Sequence, residues 1–322
     1  MKNVICTLFE GSYDLGVVAL VNSLYKNGFR GEFYAGYRGN MPKWANSAQL
    51  NKEIQWAGCK SMNVAEGIIL HFLPVATNYH LTNYKPDFML DLLNGPAKDA
   101  DGMFYFDPDI VVTAPWSFLS RWINCGVALC EDVNSPLKKN HPTRVAWREY
   151  FSGFRIDLSF KDSVYVNGGF VGVKIKDKGF LETWKNVQEA MAAAIGGLER
   201  SAFTTGSQLP EESQGPFAPF GKTDQDALNA AVEAWDGEFS FITKEGMGFG
   251  PGLRLLPHAL GQPKPWNAKY IKRAFSGRTP RDVDKEYWKY IDNPLSVYPS
   301  SMVRSKNMAI NVATLISRFY KR

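Results

Sequence analysis

No stretch of this 322-residue sequence holds the roughly 18 to 20 consecutive apolar residues that a membrane-spanning helix needs, so a soluble or peripheral protein is expected. Cysteine is scarce. Cys6, Cys59, Cys125 and Cys130 make no CxxC pair and no zinc-type spacing, which argues against a disulfide framework and a zinc module. They read as reduced thiols of a cytoplasmic protein. The first residues meet Glu10 and Asp14 before a signal-peptide core can form, and read better as a first strand. There is no internal repeat, no low-complexity tract and no Gly-rich basic phosphate loop. The last absence argues against a nucleotidyltransferase acting on a nucleoside triphosphate.

Acidic residues are missing altogether after Asp292, while Arg304, Lys306, Arg318, Lys321 and Arg322 follow it. The chain carries 37 Lys and Arg against 32 Asp and Glu, so residues 1–292 are balanced and the whole excess lies in the tail. A balanced body gives no reason to expect a nucleic-acid partner. In the tail, Met308, Val312, Leu315, Ile316 and Phe319 recur at helical spacing. Such a basic amphipathic end suits peripheral contact with the inner face of an anionic membrane; the other reading packs the apolar face on the protein and leaves the cations solvated. Aromatics are abundant instead, with 21 Phe, 14 Tyr and 9 Trp, as a chain that stacks on sugar rings or nucleobases would have and as an aromatic core would equally give.

Val4–Leu8 is a short apolar run, Leu15, Val18, Ala19, Val21 and Leu24 fit a helix that stops at Asn27-Gly28, and Glu32–Tyr37 is again strand-like. Strand, helix, strand predicts a βαβ unit and an open α/β sheet, whose ligands gather at the carboxyl ends of the strands. Further strands are expected near 67–73, 103–106, 126–130 and 164–173, and helices near 86–94, 142–151, 177–194, 223–235 and 282–291. Residues 196–221, with Pro210, Pro216 and Pro219, form a long loop. The simplest partition is a catalytic α/β domain over 1–270 and a helical C-terminal segment over 271–322.

Asp107-Pro108-Asp109 follows the buried run Met103–Phe106. Two carboxylates two positions apart at a strand end point the same way, and a divalent cation is an economical way to neutralise them. Hard oxygen ligands suit Mg²⁺ or Mn²⁺. A haloacid-dehalogenase-like phosphatase uses the same short pattern, with the first Asp as nucleophile, but places it near the start of its domain, whereas about 100 residues precede it here. The segment His258-Ala-Leu-Gly-Gln-Pro-Lys-Pro-Trp266 adds an imidazole, which shifts the preference towards Mn²⁺, and Lys264, a point charge for a departing phosphate. Asn167-Gly168-Gly169 inside a strand pattern marks a bulge or a close ligand approach. In Thr223-Asp224-Gln225-Asp226, capping by Thr223 explains the residues as well as catalysis does.

Taken together, Thr7-Leu8 with Tyr13, Asp107-Pro-Asp109, Asn167-Gly-Gly169, Asp224-Gln-Asp-Ala-Leu-Asn229 and the HxxGxxKPW segment at 258–266 resemble, in that order, the retaining glycosyltransferases of family 8, the glycogenin and lipopolysaccharide galactosyltransferase group. The resemblance implies a GT-A nucleotide-diphospho-sugar transferase fold and transfer of a hexose from a UDP-sugar to an acceptor hydroxyl with retention. It implies that Asp107, Asp109 and His258 bind Mn²⁺ (or Mg²⁺) and that Gly261 and Lys264 contact the diphosphate. By the same likeness Leu8 and Tyr13 hold the uracil, Lys85 is a basic donor contact, Asn167 and Gly168 meet the donor sugar, and Asp224 and Gln225 lie at the reacting face. Phe9-Glu10-Gly11-Ser12 departs from the family's first turn and is one residue shorter. The acceptor, whether a glycan, a lipid-linked sugar or a protein, is left open; Glu131-Asp132, the 196–221 loop, Trp116, Trp147 and Phe217 are the candidates to contact it. A haloacid-dehalogenase-like phosphatase and a catalytically silent sugar-binding protein remain as rivals.

Overall fold

The computed structural model describes residues 1–202, 209–215 and 217–320. The chain starts with β1 (Asn3–Glu10), α1 (Asp14–Lys26) and β2 (Gly31–Arg38), and the two strands pair in parallel as the sequence predicts. Two strands not anticipated from the sequence follow, β3 (Gln49–Leu50) and β4 (Lys60–Ala65), before β5 (Ile68–Pro74). Next come α2 (Lys85–Asn94), β6 (Gly102–Phe106), α3 (Trp116–Trp122), β7 (Val127–Glu131), α4 (Pro142–Ser152), β8 (Val166–Lys174) and α5 (Gly179–Ile195). The chain continues through α6 (Thr223–Ala234), β9 (Phe239–Ile242), α7 (Tyr270–Phe275), α8 (Asp282–Tyr290) and α9 (Ser300–Ser317). Of the predicted 196–221 loop, residues 203–208 and Pro216 lie outside the described residues.

One mixed sheet of nine strands runs in the order β3-β4-β5-β2-β1-β6-β8-β7-β9. Strands β5, β2, β1 and β6 are parallel, and β8 enters antiparallel beside β6. Their near-continuous apolar sequences suit strands covered on both faces: β1 is buried from Asn3 to Phe9 and β6 throughout. One core cluster joins the sheet to α2, α4, α5 and α6; a second fills the opposite side around Val17, Leu20, Phe33, Phe72, Phe104 and Phe170. Trp147 is wholly buried in the first cluster and donates its indole N–H to the Pro219 carbonyl, so this acceptor candidate is a core residue. Trp116 packs edge-on against Phe29 and Phe104, and Phe217 alone of the three is open to solvent.

A third cluster joins the segment after residue 270 to the sheet domain. Tyr287, Trp288, Ile310 and Ala313 pack with Val18, Ala19, Val111, Ala259 and Trp266. Asn22 on α1 donates to the carbonyls of Tyr290 and Leu295 at 2.7 and 2.8 Å. Arg281, at the start of α8, reaches back: its guanidinium donates to the Leu260 carbonyl at 2.8 Å and the Pro263 carbonyl at 2.9 Å while paired with Asp284. The 260–263 loop is therefore held from the C-terminal side.

Candidate active site

The carboxyl ends of β1 and β6 open into a cleft of about 580 Å³. That size is ordinary for a small-molecule site. Every donor- and metal-site residue expected from the sequence lines it: Leu8, Tyr13, Lys85, Asp107, Asp109, Asn167, Gly168, Asp224, Gln225, His258, Gly261 and Lys264; the acceptor candidates Glu131, Asp132, Trp116, Trp147 and Phe217 do not.

Asp107 and Asp109 converge for a reason other than strand alternation. β6 ends at Phe106, and residues 107–110 form a turn closed by the Ile110 amide on the Asp107 carbonyl at 3.1 Å. The next residues pair with 257–259: Val111 N–H meets the Pro257 carbonyl at 2.9 Å and Ala259 N–H the Asp109 carbonyl at 3.1 Å. This bridge sets His258 beside the turn across nearly 150 residues of sequence, with Nε2 3.2 Å from Asp109 Oδ1 and 3.8 Å from Asp107 Oδ2. The turn itself is pressed against α1, where a side chain on Gly16 would lie 2.2 Å from the Pro108 carbonyl oxygen.

The hydrogen-bond network fixes the orientation of the His258 ring. Asn167 donates its amide to Asp132 at 2.7 Å, so its Oδ1 is the acceptor that faces His258 Nδ1 at 3.1 Å and the Gly169 amide at 2.9 Å. Nδ1 must then carry a proton, and Nε2 is the nitrogen turned towards the two carboxylates. Asn167 thus orients His258 as well as lining the cleft. Ligand atoms of Asp107, Asp109 and His258 lie within 4.8 Å of one another. Two carboxylates and an imidazole whose far nitrogen is hydrogen-bonded fit a divalent cation, with Mn²⁺ the better match for mixed oxygen and nitrogen donors.

Two lysines face this acidic group. Lys85, the first residue of α2, is buried, donates to the Gly168 carbonyl at 2.8 Å and sits 3.1 Å from Asp107 and 3.2 Å from Asp224. Burial alone would lower its pKa, but the two carboxylates outweigh it and hold the ammonium charged above its ordinary value. Lys264 bonds Asp109 Oδ2 at 2.5 Å and the Ala259 carbonyl at 2.7 Å, and its pKa is raised in the same way, burial opposing and Asp109 prevailing. Asp109 is held well below the usual carboxylate range, because His258 and Lys264 overcome the upward push of burial. Burial raises the pKa of Asp224 despite Lys85, and its Oδ1 is buried without a hydrogen-bond partner.

Gln225 accepts from the Gly168 amide at 3.2 Å and from Asn167 at 3.3 Å. The glycines here are required by space. A side chain on Gly169 would lie 2.6 Å from His258 Cε1 and 2.9 Å from Asn167 Oδ1, and one on Gly168 would lie 3.2 Å from Asp224. Gly261 differs: nothing crowds it, but its φ of +62° is left-handed. Gly169→Ala is expected to push His258 out of line and weaken Mn²⁺ binding by about tenfold or more, read by titration of free Mn²⁺. Unchanged affinity would show that His258 does not need this close approach.

The sequence reading did not single out Tyr105, whose hydroxyl donates to Asp107 at 2.9 Å, or assign Asp132, buried and bonded to Asn167. Tyr105 reads as one more core aromatic of β6, and only its place two residues before Asp107 hints at the contact. Thr223 does not cap α6. Its hydroxyl is buried without a partner, and Asp226 closes the helix start by accepting from the Lys222 amide at 2.6 Å and the Tyr165 hydroxyl at 2.7 Å. Burial pushes Asp226 up to about 6 in spite of these bonds. A carboxyl whose folded pKa lies above its unfolded one makes the protein less stable as pH rises through that window. Stability is therefore expected to fall by roughly 2–3 kcal/mol from pH 4 to pH 6.5 relative to Asp226→Asn, compared by urea unfolding. Parallel curves for the two proteins would refute this.

No family model matches the chain, and no curated protein matches it in sequence. Solved structures do. The bifunctional glycosyltransferase WbbM superposes on 95% of this chain with a TM-score of 0.54 at 14% identity, and the LgtC active-site mutant Q189E on 94% with 0.51 at 12%. The fold is that of the GT-A glycosyltransferases. The glycosyltransferase GlyE of Streptococcus pneumoniae TIGR4 shares it at a TM-score of 0.50 and 15% identity over 97% of the chain. The chain spans about half of WbbM, 52%, and 64% of GlyE, but 99% of LgtC. In this GT-A chain, as in open α/β sheets generally, the cleft lies beyond the carboxyl ends of the parallel strands.

Proposed function

We propose that this protein is a glycosyltransferase of the family 8 type that moves a hexose from a UDP-sugar to an acceptor hydroxyl with retention of configuration, using Mn²⁺. One observation carries the reading: Asp107 and Asp109 meet His258, nearly 150 positions away in sequence, together with Lys85, Asp224 and Lys264 in one cleft of a GT-A fold. Asp107, Asp109 and His258 hold the cation, which when bound neutralises charge on the diphosphate. Lys264 and the backbone of the Gly261 loop meet the diphosphate from the other side, where they stabilise the UDP leaving group. Tyr13 and Leu8 flank the base, and Asp224, anchored by Lys85, bonds to the hydroxyls of the donor sugar. Gln225, tied to the Gly168 amide, orients that sugar and is too weak a nucleophile to attack it. Retention then follows from attack on the face that the leaving group departs from, with the phosphate taking the acceptor proton.

Release of UDP from a panel of UDP-sugars, with Mn²⁺ or with EDTA, tests this directly. Slow Mn²⁺-dependent hydrolysis of one donor is expected. No release from any donor, together with no thermal shift by UDP plus Mn²⁺, would sink the reading. Glycan binding that survives Asp107→Asn with Asp109→Asn would point instead to a catalytically silent sugar-binding protein.

A further inference from the structure

Helix α9 has two apolar sides. Val303, Ile310 and Ala313 are buried against α7 and α8, with Ile316 packed beside them. The other side is bare: Met308 is 66% exposed, Val312 41%, Leu315 55% and Phe319, in the turn that continues the helix, 80%. Spacings of four, three and four residues put these on one stripe. Phe275 of α7, 54% exposed, touches Tyr320, the residue after Phe319, edge-on at 5.4 Å, and Ile271 of α7 is also exposed. Four exposed apolar side chains in one helical stripe are unlike scattered surface apolar residues. Charge selects what covers it. Residues 271–322 carry eleven Lys and Arg against four Asp and Glu, leaving residues 1–270 with two more acids than bases. Arg304 and Arg318 flank the stripe, and Lys272 and Arg278 stand exposed around α7.

We propose that the outer faces of α7 and α9 are a docking surface for an anionic lipid bilayer, the apolar stripe entering the headgroup boundary and the cations meeting acidic headgroups. A second copy of this strongly basic surface fits it less well, because its like charges would be brought together. The proposal does not depend on the transferase reading. The full chain is tested by co-sedimentation with phosphatidylcholine vesicles, with and without phosphatidylglycerol. Binding only to the anionic vesicles, weakening with salt, is expected. Leu315→Asp with Phe319→Asp should abolish it, and Arg304→Gln with Arg318→Gln should weaken it by about fivefold per charge removed. Thermal melts of the variants should match the parent, since all four side chains lie outside the packed face. Three results would overturn the proposal: no binding to either vesicle, equal binding to both, or a dimer in solution that Leu315→Asp dissociates without any vesicle binding.

Discussion

His258→Ala is expected to lower Mn²⁺-dependent UDP release on the order of 100-fold or more while leaving the metal-free protein folded. The two halves of that expectation have separate causes. His258 supplies the one nitrogen among the candidate ligands, and its Nε2 is turned to the carboxylates because Nδ1 is occupied by Asn167. Removing the ring takes away a ligand, yet strands no charge: Asn167 Oδ1 keeps the Gly169 amide, and Asp109 keeps Lys264. Asp109→Ala is a poorer probe, because it leaves Lys264 buried without its carboxylate, a loss that costs about 3–5 kcal/mol in such pairs. Turnover assays and melts with Mn²⁺ or EDTA distinguish the outcomes. Full turnover together with an intact Mn²⁺-induced shift in Tm would remove His258 from the metal site.

Lys264→Met is expected to have opposite effects on two ligands. Its ammonium rests on Asp109, a carboxylate assigned to the cation, so lysine and metal share one partner. Without the lysine, the protein alone should bind Mn²⁺ more tightly, by about tenfold if one competing charge-assisted bond is lost. Binding of UDP in the presence of Mn²⁺ should weaken by about 10- to 100-fold, because the diphosphate loses a charged donor. Titration of free Mn²⁺ by electron paramagnetic resonance, with and without UDP, measures both. Mn²⁺ affinity that falls or stays constant in the variant would contradict the role of Lys264 as a resident counter-ion.

The parallel centre of the sheet was legible because β1, β2, β5 and β6 are continuous apolar runs with turn residues between them. β4 and β9 were not: Lys60–Ala65 and Phe239–Ile242 are edge-side strands with no fully buried residue, so burial left no period in their sequences. α3 has seven residues, too few to show a repeat. At the cleft, residue types and motif order identified the participants, but not how they meet. Alternation was the wrong reason for pairing Asp107 with Asp109, since a turn brings them together. The link from Lys85 to Asp107 and Asp224 spans 22 and 139 positions, and no local pattern encodes such a contact. The tail had the reverse difficulty. Its spacing indicates a helix, but Met308, Val312, Leu315, Ile316 and Phe319 read alike whether a helix faces its own core or something outside, and only Ile316 of these five packs on the protein.

The grip of Arg281 on Leu260 and Pro263 has a consequence for how such a chain can be recombined. A terminal helical segment can be exchanged as a module where only a flexible joint attaches it to the rest of the chain. Here the residue that steadies the loop bearing Lys264 belongs to the tail's own first long helix, so a seam cut near residue 270 would separate a loop from its clamp. A piece that keeps this loop with its clamp must include both Leu260–Pro263 and Arg281, and any chimera that replaces the tail must bring its own partner for those two carbonyls.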